Sequence, residues 1–190
     1  MVRRSRRVNP VLGIGLAVIL VCTALAGGRV AAQATPPTPR LRVLVAHGPN
    51  LNLLGIREPQ IYGTTTLAQI DERLAMLAEE LNVELVTLQS NSEGTLVDFF
   101  QAHMNDVDAA LINAAGYTFH SVALHDVIKA MPFPVIEVHI SNLGTRDEIH
   151  RNSILTPAVR AAVMGFGWRS YTAGLRAVVE IVREERAAAR

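Results

Sequence analysis

Five short runs rich in valine, isoleucine and leucine, separated by longer amphipathic stretches, constrain this chain more than any other feature of its sequence. The runs are RVLVA (residues 42–46), VELVTLQ (83–89), AALIN (109–113), VIEVHI (135–140) and AAVMGFG (161–167). Residues 67–81, 95–105, 121–131 and about 171–185 instead repeat their apolar positions at helical spacing. A run that is apolar on both sides reads as a strand covered on both faces, which is the habit of central parallel strands. Strand and helix in alternation predict a doubly wound α/β domain over residues 41–187: a five-stranded parallel sheet with helices on both faces and right-handed crossovers. Residues 188–190 are a short tail, and no internal repeat is present.

The first 34 residues are of another kind. MVRRSRRVNP carries arginines and no acid, VLGIGLAVILVCTALAGG is uninterruptedly apolar, and AAQA offers an A-x-A cleavage site ending at Ala34. That is the layout of a secretory signal peptide. The rival is an uncleaved anchor over residues 11–28, since about 18 apolar residues begin to suffice for a span. Small residues after the run, and no second basic cluster to stop transfer, favour cleavage and export to a periplasmic space, with no membrane attachment afterwards. TPPTPR (residues 35–40) is a proline-rich linker.

Cleavage would remove Arg3, Arg4, Arg6, Arg7 and Arg29 and no carboxylate, taking the formal charge from +1 to −4. A nucleic-acid partner is then not expected, because the basic footprint departs with the leader. The single cysteine, Cys22, departs too, so the mature chain has neither thiol nor disulfide, which suits an oxidising compartment.

In doubly wound sheets ligands bind beyond the carboxyl ends of the strands. The polar residues there are Asn50 after the first strand, Asn113 after the third, and His139 with Ser141 at the end of the fourth. The segment HGPNLNLLGIREPQIYG (residues 47–63) reads as a loop carrying Asn50, Arg57 and Tyr62, with Gly55 and Gly63 at its turns. A phenol ionises near pH 10 in water, so a tyrosine serves as a base only if a cation stabilises the phenolate. Arg57 could supply that cation if the loop folds back; the alternative is a surface pair with Glu58. Glu137 and His139 lie two apart on one strand and so share a face. A carboxylate beside an imidazole orients it and stabilises its protonated form, as a general acid requires, although two buried groups could equally just satisfy each other. The six histidines are scattered, with no H-x-x-x-H and no paired cysteine, so no metal site is expected. By themselves these residues point to a proton-transfer enzyme.

GPNLNLLGIREPQIYG, QSNSEG, HSVALHD and IEVHISN, in this order, resemble the type II 3-dehydroquinate dehydratases, and the likeness runs from about residue 41 to residue 184. The resemblance implies a flavodoxin-like fold, no cofactor, and elimination of water from 3-dehydroquinate in the shikimate pathway or in quinate catabolism. It implies that Tyr62 takes the C2 proton, with Arg57 stabilising its phenolate and the transition state. Asn50 would hold a water against the enolate oxygen, and His139, oriented by Glu137, would protonate the departing C1 hydroxyl. Asn113, Ile140, Ser141 and Arg146 would bind substrate, Ile140 and Ser141 at its carboxylate. Asp126 would act across a subunit boundary, because the resemblance also implies trimers grouped into a dodecamer. The loop would then be a lid that brings base and cation over the substrate.

Two positions depart from the family pattern. The histidine expected six residues after Asn113 is Phe119, with His120 one place on; the arginine expected four after Arg146 is His150, with Arg151 one place on. In the family both positions meet the substrate's ring hydroxyls. A one-place move on a helix turns a side chain by about 100°, so His120 and Arg151 inherit those contacts only if a loop adjusts. The alternatives that remain are an exported relative with another substrate and a noncatalytic binder of the same fold. A flavin mononucleotide site would need a phosphate loop where HGPN stands, and a phosphoacceptor receiver an aspartate where Asn113 stands.

Overall fold

The structure is a computed structural model that describes residues 40–190. The leader, and the linker up to residue 39, lie outside the described residues. Five strands, β1 (Leu41–His47), β2 (Val83–Gln89), β3 (Ala109–Asn113), β4 (Val135–His139) and β5 (Ala161–Met164), form one sheet in the order β2-β1-β3-β4-β5. All four pairings are parallel, as the alternation of elements implied, and the strand order is the flavodoxin-like one that the resemblance implied.

Alternation along each strand splits the core into two layers. Val43 and Val45 of β1, Leu111 of β3 and Ile136 and Val138 of β4 face α2 (Leu67–Leu81) and α5 (Arg169–Ala188). Leu44 and Ala46, with Ala110 and Ile112, face α3 (Glu93–Ala102) and α4 (Val122–Ala130). The helices turn one stripe inward: Ile70, Leu74, Leu77 and Ala78 on α2, and Tyr171, Leu175, Val178, Val179 and Val182 on α5. Their starts are written in the chain. Thr66 and Gln69 form a capping box ahead of α2, and Ser92 and Ser121 cap the backbone N–H groups of Thr95 and Leu124 at α3 and α4.

The structure corrects the sequence reading at three places. Not every strand is central: β2, which carries Glu84, Thr87 and Gln89, and β5, which is wholly apolar, form the sheet edges and are only partly buried. The last strand stops at Met164 because Gly165 and Gly167 take φ of 88° and 63°, conformations that end the pleat. The segment 47–63 is not all loop: it holds a 3-10 turn at Leu51–Leu53 and a one-turn helix, α1 (Pro59–Tyr62), with proline in its first turn. No helix among the described residues is long and apolar enough to cross a membrane.

Candidate active site

One pocket lies beyond the carboxyl ends of β1, β3 and β4, and Asn50, Arg57, Tyr62, Asn113, His139, Ile140, Ser141 and Arg146 all line it. They come from three separate stretches of chain, residues 50–62, 113 and 139–146. What brings them together starts at Gly48. A Cβ there would sit 2.5 Å from the carbonyl oxygen of Ala114, so only glycine lets the strand exit of β1 lie against that of β3. The Gly48 N–H donates to the Asn113 carbonyl at 2.7 Å and locks the approach. Two residues on, Asn50 takes a left-handed conformation (φ 62°), which asparagine tolerates better than most side chains. Its N–H donates to the Asn91 carboxamide oxygen at 2.9 Å. Gln89 donates to the same oxygen at 3.1 Å, and Tyr117 donates its hydroxyl to the Asn91 carbonyl at 2.7 Å. Asn91 therefore clamps the Asn50 turn to the exit of β2. Nothing in the spacing of its motif, QSNSEG, assigns Asn91 this task.

Tyr62 ends α1 and is followed by Gly63 at φ 80°, the sharp turn that aims the phenol into the pocket. Two guanidinium groups attend it. Arg57 lies with Cζ 5.1 Å from the ring centroid, while its Nε bonds the Glu58 carboxylate at 3.1 Å. The pairing with Glu58 and the approach to Tyr62 are thus both made by one side chain. The cation that touches the phenol oxygen, however, is Arg146, whose Nη1 donates to it at 3.1 Å and also to the Ser141 hydroxyl at 3.1 Å. Sequence spacing put Arg57 beside Tyr62; tertiary folding adds Arg146 from beyond β4.

His139 and Glu137 share one face of β4, as their spacing required. The imidazole Nε2 meets the carboxylate at 2.8 Å, and Glu137 is fully buried behind it. Burial by itself would push the carboxyl's pKa up. The hydrogen bond and charge of His139, with hydroxyl bonds from Ser153 and Thr156 at 2.6 Å each, outweigh burial and hold it below the usual carboxylate range. Ser153 in turn accepts the Leu155 and Thr156 N–H groups at 3.0 and 3.1 Å, so its hydrogen is free only toward Glu137. The result is an ionised, oriented carboxylate beneath an imidazole that faces the pocket. Such a pair can deliver a proton.

The two displaced positions resolve clearly. Phe119 and His150, not His120 and Arg151, line the pocket. Their rings meet edge to face, with centroids 5.1 Å apart and planes at 88°. His150 Nδ1 bonds the Asp147 carboxylate at 2.7 Å, and that bond lowers the Asp147 pKa. His120 is exposed and packs its ring against Tyr117, and Arg151 turns back to donate to the Arg146 carbonyl at 3.2 Å. Asp126, on α4, is also away from the pocket, with its side chain 71% exposed and bonded to His125. Among the described residues no group of three or more His, Cys, Asp or Glu could hold a metal ion.

Comparison with known proteins adds lineage to this geometry. The family described as Dehydroquinase class II matches residues 41–179. The chain is 49% identical over 142 residues to the 3-dehydroquinate dehydratase of Desulforudis audaxviator, covering 75% of this chain and 95% of that protein. It is 52% identical over 136 residues to that of Bordetella pertussis, covering 71% and 94%. The crystal structure of type II dehydroquinase from Butyrivibrio crossotus superimposes with a TM-score of 0.72 at 33% identity, over 73% of this chain and 97% of that one. With its matched span running from β1 into α5 and the pocket at the strand ends, this chain belongs to the class II dehydroquinase family.

Proposed function

We infer that this chain is a 3-dehydroquinate dehydratase that eliminates water from 3-dehydroquinate to give 3-dehydroshikimate through an enolate. The observation that carries the reading is the convergence of a cation-paired phenol and a carboxylate-paired imidazole on one pocket. Tyr62 as phenolate removes the C2 proton, and Arg146 and Arg57 stabilise the charge it carries beforehand. The electron pair moves into the adjacent carbonyl, and a water held by Asn50 bonds the enolate oxygen. As the enolate collapses, the C1–O bond breaks and His139, protonated and oriented by Glu137, gives its proton to the leaving hydroxyl, which departs as water. Ser141 and the Ile140 backbone bind the carboxylate, and Asn113 a ring hydroxyl. The growth of enone absorbance on adding residues 35–190 to 3-dehydroquinate tests the activity. Tyr62→Phe and His139→Ala should each cut turnover by about 10²–10⁴-fold, the usual contribution of one general acid or base. Near-normal rates in both would refute the assignment.

Assembly and location belong to the same proposal. Asp126 is solvent-facing and outside its own chain's pocket, which supports a role in a neighbour's site within a trimer and, through trimers, a dodecamer. Light scattering should give the larger assembly, and a monomer with full activity would exclude this role. Export rests on the basic, apolar and A-x-A pattern of residues 1–34. Intact mass of protein from a periplasmic extract should begin at Thr35; a soluble product retaining Met1 would rule cleavage out.

A further inference from the structure

Behind the pocket wall a buried line of polar groups, Tyr171, His47 and Asp71, runs back from Asn113, and the elimination chemistry uses none of these three. His47, at the end of β1, is fully buried, as is Tyr171 on α5, and Asn113, at the end of β3, is 3% exposed. Parallel pairing sets His47 directly opposite Asn113, with both side chains on the α2 and α5 side of the sheet. The Tyr171 hydroxyl lies 3.0 Å from Asn113 Nδ2 and 3.0 Å from His47 Nδ1, and His47 Nε2 lies 3.0 Å from Asp71 on α2. Asp71 is the solvent end of the line, its side chain 39% exposed.

The direction of every bond follows from one backbone group. The Ala115 N–H, which can only donate, lies 3.2 Å from the Asn113 side chain, so the atom facing it is the carboxamide oxygen. Nδ2 must then face Tyr171 and donate to its hydroxyl. That hydroxyl's own hydrogen has one remaining partner, His47 Nδ1, which must be unprotonated. The imidazole hydrogen is then on Nε2 and is given to Asp71. The same Ala115 bond reaches a residue held at φ 48°, a costly conformation for alanine, on the pocket wall.

We propose that Asp71, His47 and Tyr171 are positioning residues that hold the Asn113 carboxamide in a single orientation, so that the hydrogen-bonding pattern offered to the substrate is set from the far side of the sheet. The proposal rests on the reading of Asn113 as a substrate contact. A carboxamide free to flip would present donor and acceptor to the substrate interchangeably and would release Ala115. The line ends in a carboxylate because only an acceptor there orients the imidazole tautomer that the Tyr171 hydroxyl needs.

Steady-state kinetics of the full assembly with 3-dehydroquinate test this, together with ¹⁵N NMR of His47. Wild-type His47 should show hydrogen on Nε2 and a bare Nδ1. Tyr171→Phe and Asp71→Ala should each raise KM roughly 3- to 10-fold with kcat within about twofold, the size of one misdirected neutral hydrogen bond in the ground state. Asp71→Asn, whose carboxamide oxygen can still accept from Nε2, should restore KM. Asp71→Ala alters the exposed end and keeps the test valid should Tyr171→Phe fold poorly. Hydrogen on Nδ1 would overturn the proposal, as would a fall in melting temperature with KM unchanged in both variants. Asn113→Ala separates the two readings. If it raises KM while the other variants do not, the relay fails and the substrate contact stands; if it leaves KM unchanged, both fail.

Discussion

Replacing Glu137 with glutamine removes a negative charge from the interior while keeping the side chain's shape. The wild-type carboxylate accepts three bonds, from His139 at 2.8 Å and from Ser153 and Thr156 at 2.6 Å each. A carboxamide can accept at one end only, so a hydroxyl loses its acceptor, and the bond that remains to His139 is no longer to a charge. Hydrogen bonds to charged groups contribute roughly 1.5–3 kcal/mol against about 0.5–1.5 for neutral ones. With the loss of the counter-charge beneath an imidazolium, the acid step should lose on the order of 2–3 kcal/mol, or roughly 30–150-fold in kcat. KM should change little, since Glu137 stands behind His139 and does not line the pocket. Stability gives a second readout with a defined sign. The folded carboxyl has a lowered pKa, so its stabilisation is complete above the unfolded value of about 4.3 and is lost as pH falls through the folded one. The gap in melting temperature between wild type and Glu137→Gln should therefore be widest near neutrality and shrink below about pH 4. Enone formation and thermal melts across pH measure both. A variant that folds normally and turns over within about twofold of wild type would show that His139 acts without its carboxylate.

Two further outcomes follow from the pocket wall. Phe119→His with His120→Thr and His150→Arg rebuilds the family pattern and should lower KM for 3-dehydroquinate with a smaller change in kcat, because ring-hydroxyl contacts serve ground and transition states alike; an unchanged or raised KM would mean that the Phe119–His150 pair already suits the substrate. Arg146→Ala should cost more turnover than Arg57→Ala, since Arg146 bonds the Tyr62 oxygen at 3.1 Å and Arg57 lies over the ring at 5.1 Å from its centroid, and the reverse order in kcat would return the main role to Arg57.

The sequence by itself determined the layers and the contact between Glu137 and His139. Apolar period decided which residues face the sheet, and for α2 it reproduced residues 67–81 because a capping box and an asparagine in the left-handed region mark its two ends. The two-residue spacing of Glu137 and His139 was sufficient for their contact, since side chains i and i+2 of a strand must share a face. Edge and centre were only partly legible: β2 carries Glu84, Thr87 and Gln89 among its apolar residues, but β5 is as apolar as β3, and only the order of pairing leaves both at the rims. Nor was the partner of Tyr62, because Arg146 is 84 residues away and reaches it only once the β4 exit has folded over α1. The displaced residues depended on the same information. Whether His120 or Phe119, and His150 or Arg151, faced the pocket was a matter of side-chain direction in short 3-10 turns, Ala115–Phe119 and Glu148–His150, too short for a period to show in the sequence. The line from Asp71 to Asn113 was hidden for the reason that governs all such networks. Its members lie on α2, β1, α5 and β3, and a hydrogen bond between distant segments leaves no trace in the spacing of either.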